Sequence, residues 1–297
     1  MTFSILKRTK LWFAISGVFM LASILCLIIF GLRPGVDFTG GSLLEVRFVQ
    51  VPEIASLRTT LANLGYTDPS VQTAGETDVL FRLENLSEEE HQTLLTALKE
   101  QYGQVDELRF DSIGPVIGKE LRNRSLIGVL ILLILIGLYV TWSFRKVGKP
   151  VAPWKYGVLT LVTAFHDMII PLGVFAVLGH YLGWEVGTGF VAAILTVLGY
   201  SINDTIVVFD RTRENLLHKT HESLEVILEK SLHETLGRSL TTGIATLLTL
   251  FAIFFWGGST TQPFALALII GILAGTYSSI FFASPLLVVW QKYQSRE

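Results

Sequence analysis

Six long apolar stretches dominate the pattern of hydrophobic and polar positions along this chain. A hydrocarbon core about 30 Å thick requires roughly 20 helical residues to cross it. The predicted spans are residues 11–32, 125–144, 156–182, 187–209, 239–257 and 264–290. Glycine, threonine and proline at 257–263 separate the last two spans. The pattern therefore predicts a polytopic α-helical membrane protein with six transmembrane helices.

Residues 33–124, between the first two spans, have short alternating segments instead of long apolar runs. Four segments alternate as strands do, and two have helical periodicity. In chain order they are strand 43–49, helix 52–64, strands 70–73 and 79–83, helix 87–102 and strand 105–113. Ser87 and Glu90 form the capping box of the second helix. The order βαββαβ predicts a ferredoxin-like α+β domain, a fold that does not by itself indicate an activity.

Glycine motifs flank this domain at both ends. The sequence GVDFTGG at 35–41 lacks the lysine of a phosphate-binding loop and precedes a strand, whereas such loops precede a helix. We therefore expect a tight turn between the first span and the first strand. The sequence IGP at 113–115 predicts a hinge where the chain returns to the membrane.

Composition supports the membrane assignment and excludes several classes of protein. The chain is 51% hydrophobic and 16% charged, whereas soluble domains have about 25% charged residues. A net charge of −2 provides no basic surface, so we expect no nucleic-acid partner. Cys26 is the single cysteine, which excludes an intrachain disulfide. We expect no metal site and no cofactor.

The distribution of lysine and arginine predicts the orientation in the membrane. Fourteen of the 23 basic residues lie before the first span, after the last one or in the links 145–155 and 210–238, and the other nine lie in 33–124. Long translocated domains largely escape the positive-inside rule. Residues 1–10 and 291–297 are therefore predicted to be cytoplasmic and residues 33–124 extracytoplasmic. We expect the first span to be an uncleaved signal anchor, because its apolar run is too long for a cleaved signal.

Ionisable groups inside the spans are the candidate functional residues, because a charge at the bilayer centre costs at least about 2.5–3.5 kcal/mol. Asp167 lies roughly 18 Å along its helix from Lys155, and Asp204 lies about 9 Å from Asp210 at the end of its own span. Asp204 is either a neutral carboxyl that joins helices or a carrier of protons. Arg238, at the start of the fifth span, is its candidate partner.

Three further polar residues of the spans have two alternative interpretations. His166 and Asp167 are adjacent and point about 100° apart on a helix, so they cannot form the i, i+4 pair of a zinc site. We expect one to face the bundle and the other to bond a neighbouring helix. For this pair and for Asn203, a relay role and a helix-packing role stay open.

The link at 210–238 mixes acids, bases and histidines around an apolar stripe. Leu224, Ile227, Leu228, Leu232 and Leu236 repeat at helical spacing. We expect an amphipathic helix on the membrane surface or beneath the bundle. The histidines of this link (His218, His221 and His233) are interpreted as part of a solvated face.

Several motifs together resemble the SecD/SecF family, and its SecF branch in particular. They are GVDFTGG at 35–41, IGPVIG at 113–118, FHD at 165–167, GYSINDTIVVFDR at 199–211 and SLTT at 239–242. The resemblance covers nearly the whole chain.

This resemblance implies half of an RND-type transporter bundle, with SecD supplying the other six spans. It implies a complex in the bacterial inner membrane that uses the proton-motive force to promote preprotein translocation through the SecYEG channel. The positions that match the family's proton relay are Asp204 and Arg238.

Three other functions fit parts of the sequence. An intramembrane aspartyl protease requires the Asp167 and Asp204 carboxyls about 3 Å apart, and no Gly-x-Gly-Asp motif surrounds either residue. A proton-coupled small-molecule exporter of RND type has the same architecture and needs no second subunit. A structural stabiliser of the channel would tolerate loss of the Asp204 carboxyl. We expect a transport subunit, not an enzyme.

Overall fold

The structure is a computed structural model that describes residues 4–67, 69–145, 151–218, 222–258 and 260–294. Part of each predicted terminus, residues 146–150 of the basic link before the third span, and His221 lie outside the described residues. The chain divides into two compact units. Met1–Leu32, Gly128–Leu182 and Gly189–Glu297 form the membrane unit, and Arg33–Ile127 with Gly183–Thr188 form the α/β unit.

The chain passes from the membrane unit to the α/β unit after its first long helix and returns to the membrane unit within its fifth helix. In order, the described elements are α1 (Thr9–Phe30), α2 (Val36–Thr39), β1 (Gly41–Phe48), α3 (Ile54–Asn63), β2 (Ser70–Ala74), β3 (Asp78–Leu83), α4 (Glu88–Tyr102), β4 (Val105–Ile113), α5 (Pro115–Ser143), α6 (Pro153–Leu182), α7 (Thr188–His218), α8 (Leu224–Trp256), α9 (Gln262–Ser278) and α10 (Ser284–Gln294). A π-helical turn, Ser279–Ala283, joins α9 to α10.

The α/β unit contains a four-stranded antiparallel sheet in the order β2-β3-β1-β4. A split βαβ arrangement gives this order, because each helical crossover leaves room for one strand between its two ends. Leu44, Val46 and Phe48 alternate along β1 and form a core with the buried leucines of α3 and α4. The predicted capping box is present, since Ser87 accepts from the amide of Glu90 and Glu90 accepts from the amide of Ser87. The α+β class and its element order are confirmed.

The short connection between α6 and α7 belongs to the α/β unit. The amide of Val186 donates to the carbonyl of Arg33 at 2.8 Å, and the amide of Gly35 donates to the carbonyl of Val186 at 3.0 Å. Glu185 pairs with Arg82 of β3 and lies 3.8 Å from the Arg33 guanidinium. From the sequence, residues 183–186 were predicted only as a link between the third and fourth spans.

Among the described residues of the membrane unit and the adjoining start of α5, six helices are long and apolar enough to cross a membrane, with α9 and α10 counted as one span. This confirms the predicted fold class of a polytopic helical protein. α5 begins at Pro115, earlier than the predicted span, because proline suits a first helical position. The sixth span is not one regular helix, because the π-helical turn interrupts it. Across this turn the Ser284 hydroxyl donates to the carbonyl of Ser279 at 3.0 Å.

Two local predictions are refined by the structure. The stripe at 224–236 is helical and packs against the bundle, as one of the two alternatives predicted, but it is the first part of α8, which continues without a break from Leu224 to Trp256. No proline interrupts it, and Leu228 and Leu232 are buried against Val208 and Ile280 of the bundle. Residues 35–41 contain one helical turn, α2, where a tight turn was expected, and the backbone of Gly40 ends it at φ 78°.

Glu185 provides a test of the α/β unit by pH. Burial raises the pKa of its carboxyl from 4.5 to about 7, with Arg82 and Arg33 opposing this shift and Asp37 adding to it. The folded state therefore holds a proton that the unfolded chain releases near its ordinary pKa. This contribution to stability is complete below about pH 4.5 and is lost as pH rises through about 7.

We expect Glu185→Gln to reduce the fall in thermal stability between pH 5 and pH 8, because the amide is neutral throughout that range. The measurement is the unfolding midpoint of the purified protein in detergent at several pH values. Glu100→Gln, an exposed change on α4, should keep the wild-type dependence. An unchanged or steeper fall in Glu185→Gln would contradict the expectation.

Candidate functional site

Asp167 is the centre of a fully buried hydrogen-bond cluster in the membrane unit. Its Oδ1 lies 2.9 Å from Nδ1 of His166. Its Oδ2 accepts hydrogen bonds from the hydroxyls of Ser201 on α7 and Ser278 on α9, the latter at 2.7 Å. One carboxyl of α6 therefore holds three helices together. Each of its oxygens has a partner, so this side chain is held in one orientation.

Aromatic rings enclose the histidine of this cluster. The His166 ring stacks against Phe282 of the π-helical turn, with ring centroids 4.9 Å apart, and more distantly against Tyr277. The Tyr277 hydroxyl donates to the carbonyl of Trp12 at 2.9 Å and contacts the Ser16 hydroxyl at 3.3 Å. These contacts extend the cluster to α1. They also hold the imidazole in place while its Nε2 has no hydrogen-bond partner in the described part of the chain.

Asp167 bonds neighbouring helices, as expected for one member of this pair, and His166 is buried in the bundle. The hydrogen bond between the two adjacent side chains was not expected. The partners Ser278 and Tyr277 were not predicted from the sequence. The signal for them was present, because the hydroxyl run Thr276-Tyr277-Ser278-Ser279 interrupts an otherwise apolar span.

Asp204 lies one helical turn after Ser201 on α7 and is 4% exposed. Its environment differs from that of Asp167, because Oδ2 is buried without a hydrogen-bond partner among the described residues. The two polar groups that act on this carboxyl, Ser239 and Arg238, both lie on α8. The Ser239 hydroxyl is likewise buried without a completed hydrogen bond. The structure thus brings an unsatisfied carboxyl and an unsatisfied hydroxyl together between α7 and α8.

Arg238 and Asn203 do not bond Asp204. The Arg238 side chain is exposed, and no ion pair within 4 Å joins it to Asp204 in the described structure. Asn203 is exposed on the outer side of α7. The described partners of Asp167 are His166, Ser201 and Ser278, so its carboxyl does not share a proton with Asp204 in the manner of a protease dyad.

Comparison with known proteins identifies the family. The family described as protein export membrane protein SecD/SecF, C-terminal, matches residues 93–293, and the SecD/SecF GG motif matches residues 27–50. The chain is 40% identical over 292 residues to protein translocase subunit SecF of Thermobaculum terrenum, covering 94% of this chain and 91% of that protein. The chain belongs to the SecD/SecF family.

Other SecD/SecF proteins extend this result. Protein translocase subunit SecF of Vibrio alginolyticus is 38% identical over 291 residues, covering 96% of this chain and 89% of the relative. The crystal structure of SecDF, a translocon-associated membrane protein from Thermus thermophilus, matches 98% of this chain at 33% identity with a TM-score of 0.85. The present chain spans 39% of that longer SecDF chain. The resemblance inferred from the motifs is confirmed.

Proposed function

We propose that this SecF-type chain works with a SecD partner as an accessory subunit of the Sec translocase and promotes preprotein translocation with the proton-motive force. Named SecF relatives and the SecDF fold support the translocase assignment. They do not favour a small-molecule exporter. The proposal assigns the chain no chemical reaction, no metal and no cofactor.

The contrast between Asp204 and Asp167 is the observation that carries the proton-coupling part. Asp167 has three partners, whereas Asp204 has an oxygen with none in the described residues. A buried polar atom without a partner costs about 1–3 kcal/mol. Binding a proton removes the charge, and pairing with the Arg238 cation compensates it. Asp204 therefore has two alternative states, and Asp167 with His166 serves to position the helices.

The proton gradient supplies enough free energy to choose between two such states. Each elementary charge that crosses the membrane contributes about 2.3 kcal/mol per 100 mV. A shift of a few kcal/mol moves a two-state equilibrium by a factor of ten or more. In this proposal Arg238 changes its distance from Asp204 between the two states, and Ser239 remains beside the carboxyl.

We expect Asp204→Asn to abolish the stimulation of preprotein translocation by the proton gradient, because an amide neither releases a proton nor pairs with Arg238. The measurement is preprotein import into inverted membrane vesicles that contain equal amounts of each variant. The stimulation is the difference between import with the gradient and import after its collapse by a protonophore.

Asp210→Asn is the matched control for this experiment. It makes the same chemical change on the same helix, but Asp210 is exposed and pairs with Arg213 at the surface, so import should stay at the wild-type level. Asp167→Asn should keep part of the stimulation, because an amide oxygen still accepts from Ser201 and Ser278. Full stimulation in Asp204→Asn would refute the relay and favour a purely structural subunit.

The exposed side of α7 supports a helical partner in the membrane. Ala192, Thr196, Gly199 and Asn203 are exposed at helical spacing and are small or polar. A surface that faces lipid tails is usually built from large apolar residues, whereas small residues allow another helix to approach closely. We propose that SecD packs against this stripe, which explains why Asn203 faces outward beside Asp204.

We expect Gly199→Leu to reduce co-purification of SecD, because the added side chain fills the space of the partner helix. Within this chain we expect the change to be accommodated, since Gly199 is exposed and a Cβ there meets no atom within 4 Å. Gly17→Leu on α1 is the matched control: it is equally open and lies beside the exposed Val18 and Leu21. Equal recovery of SecD with both variants would exclude this stripe as the contact.

We also propose that the protein lies in the bacterial inner membrane with both termini cytoplasmic and the α/β unit outside. The support is the position of the basic residues around the spans. Glu76→Cys, in the turn between β2 and β3, should be labelled by an impermeant maleimide from outside cells stripped of their outer membrane. The background is Cys26→Ser, and labelling only after the inner membrane is lysed would reverse the orientation.

A further inference from the structure

The motif GVDFTGG at 35–41 is not explained by the relay or by the partner surface. It lies in the α/β unit beside the first residue of α7. Oδ2 of Asp37 accepts two hydrogen bonds from Thr188, one from its amide and one from its hydroxyl, each at 2.7 Å. Acceptance of helix-start amides by a carboxylate is the role of an N-cap, and the charge complements the helix dipole. Here the cap comes from a residue 151 positions earlier in the chain.

The surrounding backbone is shaped for this contact. A Cβ at Gly187 would lie 2.6 Å from Oδ2 of Asp37, so only glycine lets the carboxylate reach the helix start without a shift. The hydrogen bonds that join Val186 to Arg33 and Gly35 hold the two segments in parallel register on the preceding side. The backbone around Asp37 is therefore held by the pairing with Val186, and its carboxylate is held by the first residue of α7.

The same motif also packs against the start of α5. A Cβ at Gly40 would lie 2.6 Å from Cα of Pro115, and a Cβ at Gly118 would lie 2.8 Å from the amide nitrogen of Gly40. The two glycine motifs of the sequence thus interlock through their backbones. Within the α/β unit, one segment of seven residues contacts the beginnings of two helices that continue into the membrane unit.

α7 links this contact to the candidate relay. The helix is continuous from Thr188 to His218, and Asp204 lies sixteen residues after Thr188, roughly 24 Å along the axis. A helix transmits a rotation or translation along its length because its backbone hydrogen bonds keep it stiff. α7 is thus the covalent path from Asp204 to Thr188, and Asp37 is the side chain that Thr188 contacts at its start.

We propose that Asp37 is a positioning residue that ties the start of α7 to the α/β unit, so that movements driven by the protonation of Asp204 reach that unit. This inference rests on the proposed proton-coupled function. Charge-assisted hydrogen bonds are roughly twice as strong as neutral ones, which suits a contact that carries force. Its loss should uncouple the protein without removing proton binding.

The test compares two quantities in the same vesicles: proton flux, followed with a pH-sensitive dye, and gradient-dependent preprotein import. Asp37→Ala should lose most of the import stimulation while proton flux continues. Thr188→Ala removes one of the two hydrogen bonds and should give an intermediate loss, and Thr188→Ser restores the hydroxyl and should restore import. Asp106→Ala, an exposed carboxylate change on β4, is the control and should match the wild type.

The possible outcomes separate this inference from the proposed function. If Asp204→Asn leaves import and flux unchanged, the proton relay itself is wrong. If Asp204→Asn abolishes import while Asp37→Ala and Thr188→Ala keep it, the tie between Asp37 and α7 is wrong. A parallel fall of flux, import and protein level in Asp37→Ala would indicate only a folding role; the nearly isosteric Asp37→Asn and Thr188→Ala then decide, and normal import in both overturns the proposal.

Discussion

The cost of placing a carboxyl away from water governs the membrane unit of this protein. In hydrocarbon each polar group must find a partner within the protein, and an unsatisfied one costs several kcal/mol. Asp167 meets this constraint with two serines and a histidine from α6, α7 and α9. Asp204 lies one turn after Ser201 on α7, and one of its oxygens has no hydrogen-bond partner among the described residues. The helix-packing cluster and the proposed relay therefore involve two different carboxyls of one bundle.

The irregular geometry of the sixth span belongs to the same constraint. A π-helical turn follows directly after Ser278, and its Phe282 covers the His166 ring. Such turns occur frequently at functional sites, because one extra residue changes the direction of the side chains that follow. In this chain the turn lets a hydroxyl face Asp167 and an aromatic ring face His166 from consecutive parts of one span.

Within the α/β unit, short segments pack closely around the start of α5 and the first residue of α7. The glycine motif at 35–41 caps α7 through Asp37 and contacts the start of α5 through Gly40. The connection at 183–188 adds the half-buried Glu185 beside Arg82. These contacts hold the start of α5 and the first residue of α7 within the α/β unit, which is the arrangement that the proposed role of Asp37 requires.

Hydrophobic patterning was sufficient for the spans, for the βαββαβ order and for the capping box at Ser87, because these depend on contacts between residues close in sequence. At 224–236 the same pattern predicted a helix but did not show that this helix continues into the fifth span. Periodicity reports which side of a helix is buried, but not where the helix stops, and α8 contains no residue that ends it before Trp256. The hydroxyl run at 276–279 was visible in the sequence but lacked a meaning without its partner carboxyl.

By itself the sequence determined the six spans, the α+β domain, the family and the positions of the membrane carboxyls, because composition, periodicity and motif spacing are local properties of the chain. Only the tertiary structure decided which carboxyl is satisfied, that Arg238 stands apart from Asp204, and that Asp37 reaches Thr188. Those facts depend on contacts between residues far apart in sequence, whose distances and hydrogen bonds no local pattern encodes.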